Sequence, residues 1–207
     1  MKIKICGLKF ESNILDLSKI EPDYMGFIFW EKSKRHVKGS TPNLLQTKIK
    51  KTGIFVNADF EKIKEKVYVH KLKAIQLHGE ESPEFCKKIK AFGVEIIKAF
   101  SIDENFNFDI LKKYDLCSDY FLFDTKGKSP GGNGISFDWE ILRNYKYEKK
   151  FFLSGGIGIE SINAIKKIKT LDLPLFCVDI NSRFELNPGE KNIELIKSFK
   201  NSLENEI

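Results

Sequence analysis

The stretch FFLSGGIGIESINAIKKI, residues 151–168, runs from an apolar β-type segment through a glycine turn into a segment with helical spacing. Phe151 to Leu153 belong to a run at 150–155 rich in large apolar residues, and Glu160 to Ile168 follows as a helix candidate. Reading outward in both directions, the same unit recurs. Short β-type runs rich in Ile, Val and Phe fall at 3–8, 24–30, 52–57, 74–79, 95–101, 120–125, 150–155 and 175–181. Helix candidates lie between them at 12–17, 59–69, 82–91, 138–145 and 160–168, with Pro83 at a first-turn position, and 192–203 ends the chain. Strands alternating with helices at this repeat imply a parallel sheet, because parallel neighbours need a crossover connection. Eight units predict an α/β chain folded as a single-domain (β/α)8 TIM barrel over residues 1–207, near the lower edge of that fold's length range of roughly 200 residues. An open doubly wound sheet needs only five or six strands and would leave two runs unplaced.

Composition narrows the function classes. The four cysteines, Cys6, Cys86, Cys117 and Cys177, are scattered, without the spacing of a disulfide framework or a zinc site, which points to a reducing cytoplasmic setting. No apolar run approaches the roughly 18 residues of a membrane span, and the start lacks a signal-peptide h-region, so a soluble protein with no membrane partner is expected. The net charge of +6 comes almost wholly from lysines interleaved with acids, which argues against a nucleic-acid partner. It would suit a cleft for a small anionic metabolite.

In such a barrel the site lies at the carboxyl ends of the strands. There the apolar runs give way to polar residues: Cys6, then SerLysArgHis (33–36), PheValAsn (55–57), GlnLeuHisGly (76–79), PheAspThrLys (123–126), SerGlyGly (154–156) and AspIleAsnSer (179–182). The glycines of SerGlyGlyIleGly (154–158), Gly155 and Gly156 among them, can bring backbone N–H groups to an anion at a helix terminus, and Asn181 and Ser182 add donors from the next loop. Both loops are a frequent phosphate site in barrels. The segment 124–139 carries four glycines and a proline at the active face, as lids do. Ser136 or Asp138 is expected to cap the following helix, leaving Asp124 free.

Arg35 is one of only three arginines, and a guanidinium at a strand end suits a bidentate carboxylate, although a surface ion pair is the plain alternative. His78 shares a strand face with Gln76 and could serve as a ligand or an acid–base group, but by residue type alone a satisfied core histidine is the first reading. Cys6 by residue type is a small buried hydrophobe or a reagent. The opening KIKICGL (2–8) alternates with period two, so Lys4 shares a face with Cys6 and lies one layer deeper in the barrel. A buried ammonium there needs a partner, and Asp179, on the strand that closes the barrel against the first, is the expected one. Arg183 is expected near the phosphate loop or in solvent.

These strand ends, in order, resemble the phosphoribosylanthranilate isomerase family of tryptophan biosynthesis. The likeness rests on LysIleCysGly (4–7), SerLysArg (33–35), PheValAsn (55–57), GlnLeuHisGly (76–79), AspThrLys (124–126), GlyGlyAsnGly with PheAspTrp (131–139), LeuSerGlyGly (153–156) and ValAspIleAsnSer with ProGly (178–189). It departs where the family has a serine–glycine pair after the last strand and this chain has AsnSerArgPheGlu (181–185). The resemblance implies an Amadori rearrangement with no redox cofactor and no metal: Asp124 as general acid, Cys6 as general base, Arg35 on the anthranilate carboxylate, His78 lining the site, and the last two loops on the phosphate. A thiol is a base only as thiolate, so its pKa is expected to fall from about 8.5. Two rival barrel enzymes stay open. Indole-glycerol-phosphate synthase carries catalytic lysines and an N-terminal extension, whereas this chain begins on its first strand. A metal-dependent pentose-phosphate epimerase would draw on His36, His78 and Asp124. A phosphate-binding protein without turnover is the alternative from another class.

Overall fold

A computed structural model describes residues 1–44, 48–125 and 138–205. Eight strands, β1 (Lys2–Ile5), β2 (Tyr24–Ile28), β3 (Lys50–Phe55), β4 (Ala74–Leu77), β5 (Glu95–Ile102), β6 (Tyr120–Thr125), β7 (Phe151–Leu153) and β8 (Leu175–Ile180), pair in parallel in chain order. β8 then pairs with β1, closing the barrel. The eight runs read from sequence are these eight strands. The first, read as a run over 3–8, ends as a strand at Ile5, three residues earlier, so Cys6 stands just past β1, its N–H donating to the Ile180 carbonyl at 2.9 Å.

Local chemistry sets the helices. In α2 (Phe60–His70) the Asp59 carboxylate accepts from the Lys62 N–H at 2.8 Å, and in α3 (Pro83–Lys90) Ser82 accepts from Phe85. α1 (Glu11–Ser18) buries Ile14 and Leu17 against the sheet, and α4 (Ile162–Lys169) buries Ile162, Ile165 and Ile168. α5 (Ile193–Asn205) closes the ring. Three connections differ from expectation. Residues Trp139–Asn144 form a 3-10 helix rather than an α-helix, and a 3-10 turn at Ile159–Ser161 precedes α4. A further 3-10 helix, Phe108–Tyr114, serves the β5–β6 crossover that the sequence left unassigned. Such short, tight crossovers keep eight units within 207 residues. Asp138 does cap its helix, accepting from the Glu140 N–H at 3.0 Å. Ser136 and the expected lid at 126–135 lie outside the described residues.

The core has two layers. Outside the barrel, strand side chains such as Ile5, Phe27, Leu77 and Phe123 pack under the helices. Inside, Tyr24, Ala74, Ile97, Ala99, Leu122, Phe152 and Cys177 fill the lumen. Above this apolar plug the lumen turns polar at Lys4, Gln76 and Asp179, all buried. A short antiparallel hairpin, β9 (Glu185–Asn187) and β10 (Glu190–Lys191), follows β8 and was not expected.

Candidate active site

Cys6, Arg35, His78, Asp124, Gly155, Gly156, Asn181 and Ser182 line one cavity at the carboxyl end of the barrel, about 760 Å³ counted out to its open mouth, whereas His36 and Arg183 do not. Cys6 enters from β1 and Asp124 from β6, almost opposite each other around an eight-strand circle. The Cys6 sulfur lies over Gly26 of β2, where a Cβ would stand only 2.8 Å from Sγ. That glycine makes the room the thiol needs, and the sequence reading missed it.

Period two and barrel closure do what was expected at Lys4. Its register partner across β1–β8 is Asp179, and its ammonium donates to Asp179 Oδ2 at 2.6 Å with both side chains sealed from solvent. A second Lys4 proton goes to Gln76 Oε1 at 2.7 Å. Burial works against the ammonium, but Asp179 raises the Lys4 pKa above the ordinary lysine value. The Asp179 carboxyl is pushed up by the same burial and pulled back by Lys4; the direct 2.6 Å contact keeps the pair ionised. The effect on Cys6 corrects one expectation. Burial pushes the thiol above its ordinary range, Lys4 pulls it down, and Asp179 pushes it up again, so the resting sulfur is a thiol rather than a preformed thiolate.

Arg35 is neither a surface cation nor unpartnered. Its Nε and Nη2 donate to the Glu185 carboxylate at 2.8 and 2.6 Å. Lys191, fully buried, donates to the same carboxylate at 2.8 Å and to Asn181 Oδ1 at 2.8 Å. Burial lowers the Lys191 pKa to about 8 against the opposing pull of Glu185. Gly7, with φ +77°, lets this group close on the backbone beside Cys6, since a Cβ there would lie 2.5 Å from Asn181 Oδ1 and 2.6 Å from Arg35 Cδ. Glu185 and Lys191 are site residues that sequence reasoning missed. The signal available was the departure at 181–185, which already held the glutamate.

His78 follows β4. Its Nδ1 lies 2.8 Å from Gln76 Nε2, and its Nε2 lies 3.3 Å from Asp124 Oδ2, off the line of a hydrogen bond. Asp124 Oδ1 accepts from the N–H of Thr125 at 3.0 Å. His36 sits apart from this group, beside Glu31 and Lys62.

Past β7, Gly155 and Gly156 adopt φ of +92° and +64°, and a Cβ on Gly155 would stand 2.1 Å from Thr125 Oγ1. The turn therefore brings bare backbone against β6 and opens into the cavity beside Ser182 and Asn181. The Gly158 N–H is taken by Ser161 Oγ at 3.0 Å. Arg183 pairs with Glu160 at 2.7 Å, half exposed, on the outer flank of this turn. It does not face the cavity that Ser182 lines.

A closed (β/α)8 barrel with a thiol and a carboxylate across its mouth, a guanidinium beside the thiol and a glycine turn after β7 is the architecture of a barrel enzyme with one polar mouth. The model of the N-(5′-phosphoribosyl)anthranilate (PRA) isomerase family matches residues 3–202, and the chain belongs to that family. It is 42% identical over 205 residues to the N-(5′-phosphoribosyl)anthranilate isomerase of Parabacteroides distasonis, covering 96% of this chain and 91% of that one. Among solved structures it is similar to the phosphoribosyl anthranilate isomerase of Thermotoga maritima, with a TM-score of 0.83 at 30% identity over 99% of both chains. It is also similar to a phosphoribosyl anthranilate isomerase in complex with reduced 1-(o-carboxyphenylamino)-1-deoxyribulose 5-phosphate, with a TM-score of 0.80 at 28% identity and the same coverage.

Proposed function

We propose that this chain, acting as one barrel domain over residues 1–207, isomerises N-(5′-phosphoribosyl)anthranilate to 1-(2-carboxyphenylamino)-1-deoxyribulose 5-phosphate in tryptophan biosynthesis. Family membership supports the reaction, and the observation that carries the residue roles is the shared cavity of Cys6 and Asp124. Asp124 gives a proton to the ribose ring oxygen as the C1–O bond breaks, leaving an iminium between C1 and the anthranilate nitrogen. Cys6 then takes the proton from C2, and the electron pair moves to give the enolamine, which ketonises. The resting thiol must first ionise. The cationic iminium beside the sulfur and the nearby Lys4 both favour the thiolate at that moment.

The free edge of Arg35 takes the anthranilate carboxylate, while Gly155, Gly156, Ser182 and Asn181 hold the phosphate end. An epimerase would need His36 with His78 and Asp124, yet only the latter two stand together. A cytoplasmic location is part of the proposal. Its support is four free cysteines and the absence, among the described residues, of any helix long and apolar enough to cross a membrane. The test is to add freshly made phosphoribosylanthranilate and follow its anthranilate fluorescence, with and without a chelator. Enzyme-dependent loss of signal that survives the chelator is expected. An unchanged signal, with metal-dependent epimerisation of a pentose phosphate instead, would overturn the reading.

A further inference from the structure

Gln76 sits between two groups whose hydrogen-bonding options are fixed by chemistry. A lysine ammonium has donors only, so the amide oxygen must face Lys4, as the 2.7 Å contact from Nζ to Oε1 shows. The amide nitrogen, also a donor, is then the end that meets His78 Nδ1 at 2.8 Å. Two donors cannot bond to each other, so Nδ1 must accept and the ring's proton belongs on Nε2. Nε2 is buried, has no hydrogen-bond partner among the described residues, and stands 3.3 Å from Asp124 Oδ2.

We propose that Gln76 is a positioning residue that locks His78 as its Nε2–H tautomer, so that the imidazole faces Asp124 only as a donor. The proposal rests on the isomerase reading, in which Asp124 is the general acid. The opposite tautomer would turn a lone pair on Asp124 and accept the acid's proton in a hydrogen bond, aiming it away from the substrate. With Nε2–H in place that competing acceptor is gone. The proton of Asp124 is left to the ring oxygen, and the carboxylate formed by the transfer finds a donor beside it. Lys4 thus has a second effect: by claiming the oxygen of Gln76 it dictates, through one amide, the polarity of a ring next to the acid.

Nitrogen-15 NMR of the whole chain at pH 8 tests the tautomer, with His78 assigned as the signal missing in His78→Asn. A protonated Nε2 and a bare Nδ1 are expected; a proton on Nδ1 overturns the proposal. Gln76→Glu keeps the side-chain volume and the Lys4 contact but presents an acceptor to Nδ1, so the ring proton should move there. Turnover in Gln76→Glu should fall about tenfold or more with KM within about twofold of wild type, since general acid catalysis contributes roughly 10²–10⁴-fold. Gln76→Met, which frees Nδ1, should give a mixed nitrogen spectrum and an intermediate kcat. A wild-type kcat in Gln76→Glu, or a fall in kcat matched by an equal rise in KM, would reduce Gln76 to packing. The spectrum decides the tautomer whether or not phosphoribosylanthranilate is turned over, so failure of the isomerase reading and failure of this one appear in different measurements.

Discussion

Replacing Lys4 with methionine keeps the bulk of the side chain and removes the cation, and the structure sets the cost. Asp179 Oδ2 loses its 2.6 Å donor, and Asp179 Oδ1 already has no hydrogen-bond partner among the described residues, so the variant buries a carboxylate with nothing to solvate it. Gln76 Oε1 loses its donor as well. Breaking a buried pair in this way costs about 3–5 kcal/mol. For a chain of this size each kcal/mol is worth roughly 2–4 °C, so Tm should fall by about 6–20 °C.

The deficit depends on pH in a definite direction. Burial already holds the Asp179 pKa above the ordinary carboxyl value, and loss of Lys4 raises it further. The folded variant then binds a proton that the unfolded chain, with a carboxyl pKa of about 3.9, releases. Its penalty is absent below that unfolded value and grows as pH rises through the folded one, so Lys4→Met should lie closest to wild type in acid and furthest at neutral pH and above. Adding Asp179→Asn should recover much of the loss, because a neutral pair replaces an orphaned charge. The assay is denaturant unfolding of wild type, both single variants and the double variant at pH 5 and pH 8. A loss under about 1 kcal/mol in Lys4→Met, or a double variant as unstable as the two losses added together, would refute the buried-pair argument. The same cation favours the Cys6 thiolate, so the acidic limb of kcat/KM should move to higher pH in Lys4→Met; a limb that stays put means Lys4 does not tune the base.

Cys6→Ala and Asp124→Asn should each abolish turnover in the fluorescence assay while leaving binding of the reduced product analogue largely intact, and near-normal kcat in either removes that residue from the proton transfers. Arg35→Met should raise KM by about 10- to 150-fold, the equivalent of a charge-assisted contact of roughly 1.5–3 kcal/mol, with little change in the inhibition constant of inorganic phosphate; unchanged KM would mean that Arg35 serves only Glu185. Gly155→Ala should weaken phosphate binding far more than Arg183→Ala, because its Cβ meets Thr125 at 2.1 Å whereas Arg183 is already paired with Glu160 outside the cavity. The reverse order in phosphate titrations would make the arginine the anion's partner.

The sequence by itself determined the barrel and most of its rim. Alternating runs of β and helical period admit few parallel architectures, and in a closed parallel barrel every strand's carboxyl end opens on the same mouth, so Cys6, Arg35, His78, Asp124, Gly155 and Ser182 could be placed together from chain order alone. Lys4 and Asp179 were legible for a related reason, since period two fixes the face and closure fixes the neighbour. What only tertiary structure decided depends on distances and on the exclusion of water. The Arg35–Glu185 fork joins residues 150 positions apart through a hairpin that no periodicity announced, and the orientation of Gln76 follows from Lys4, 72 positions away. The protonation of Cys6 belongs to the same class. Its neighbours' charges could be read along the strand, but the burial that outweighs them arises from packing around the whole mouth of the barrel, a property no single stretch of chain carries.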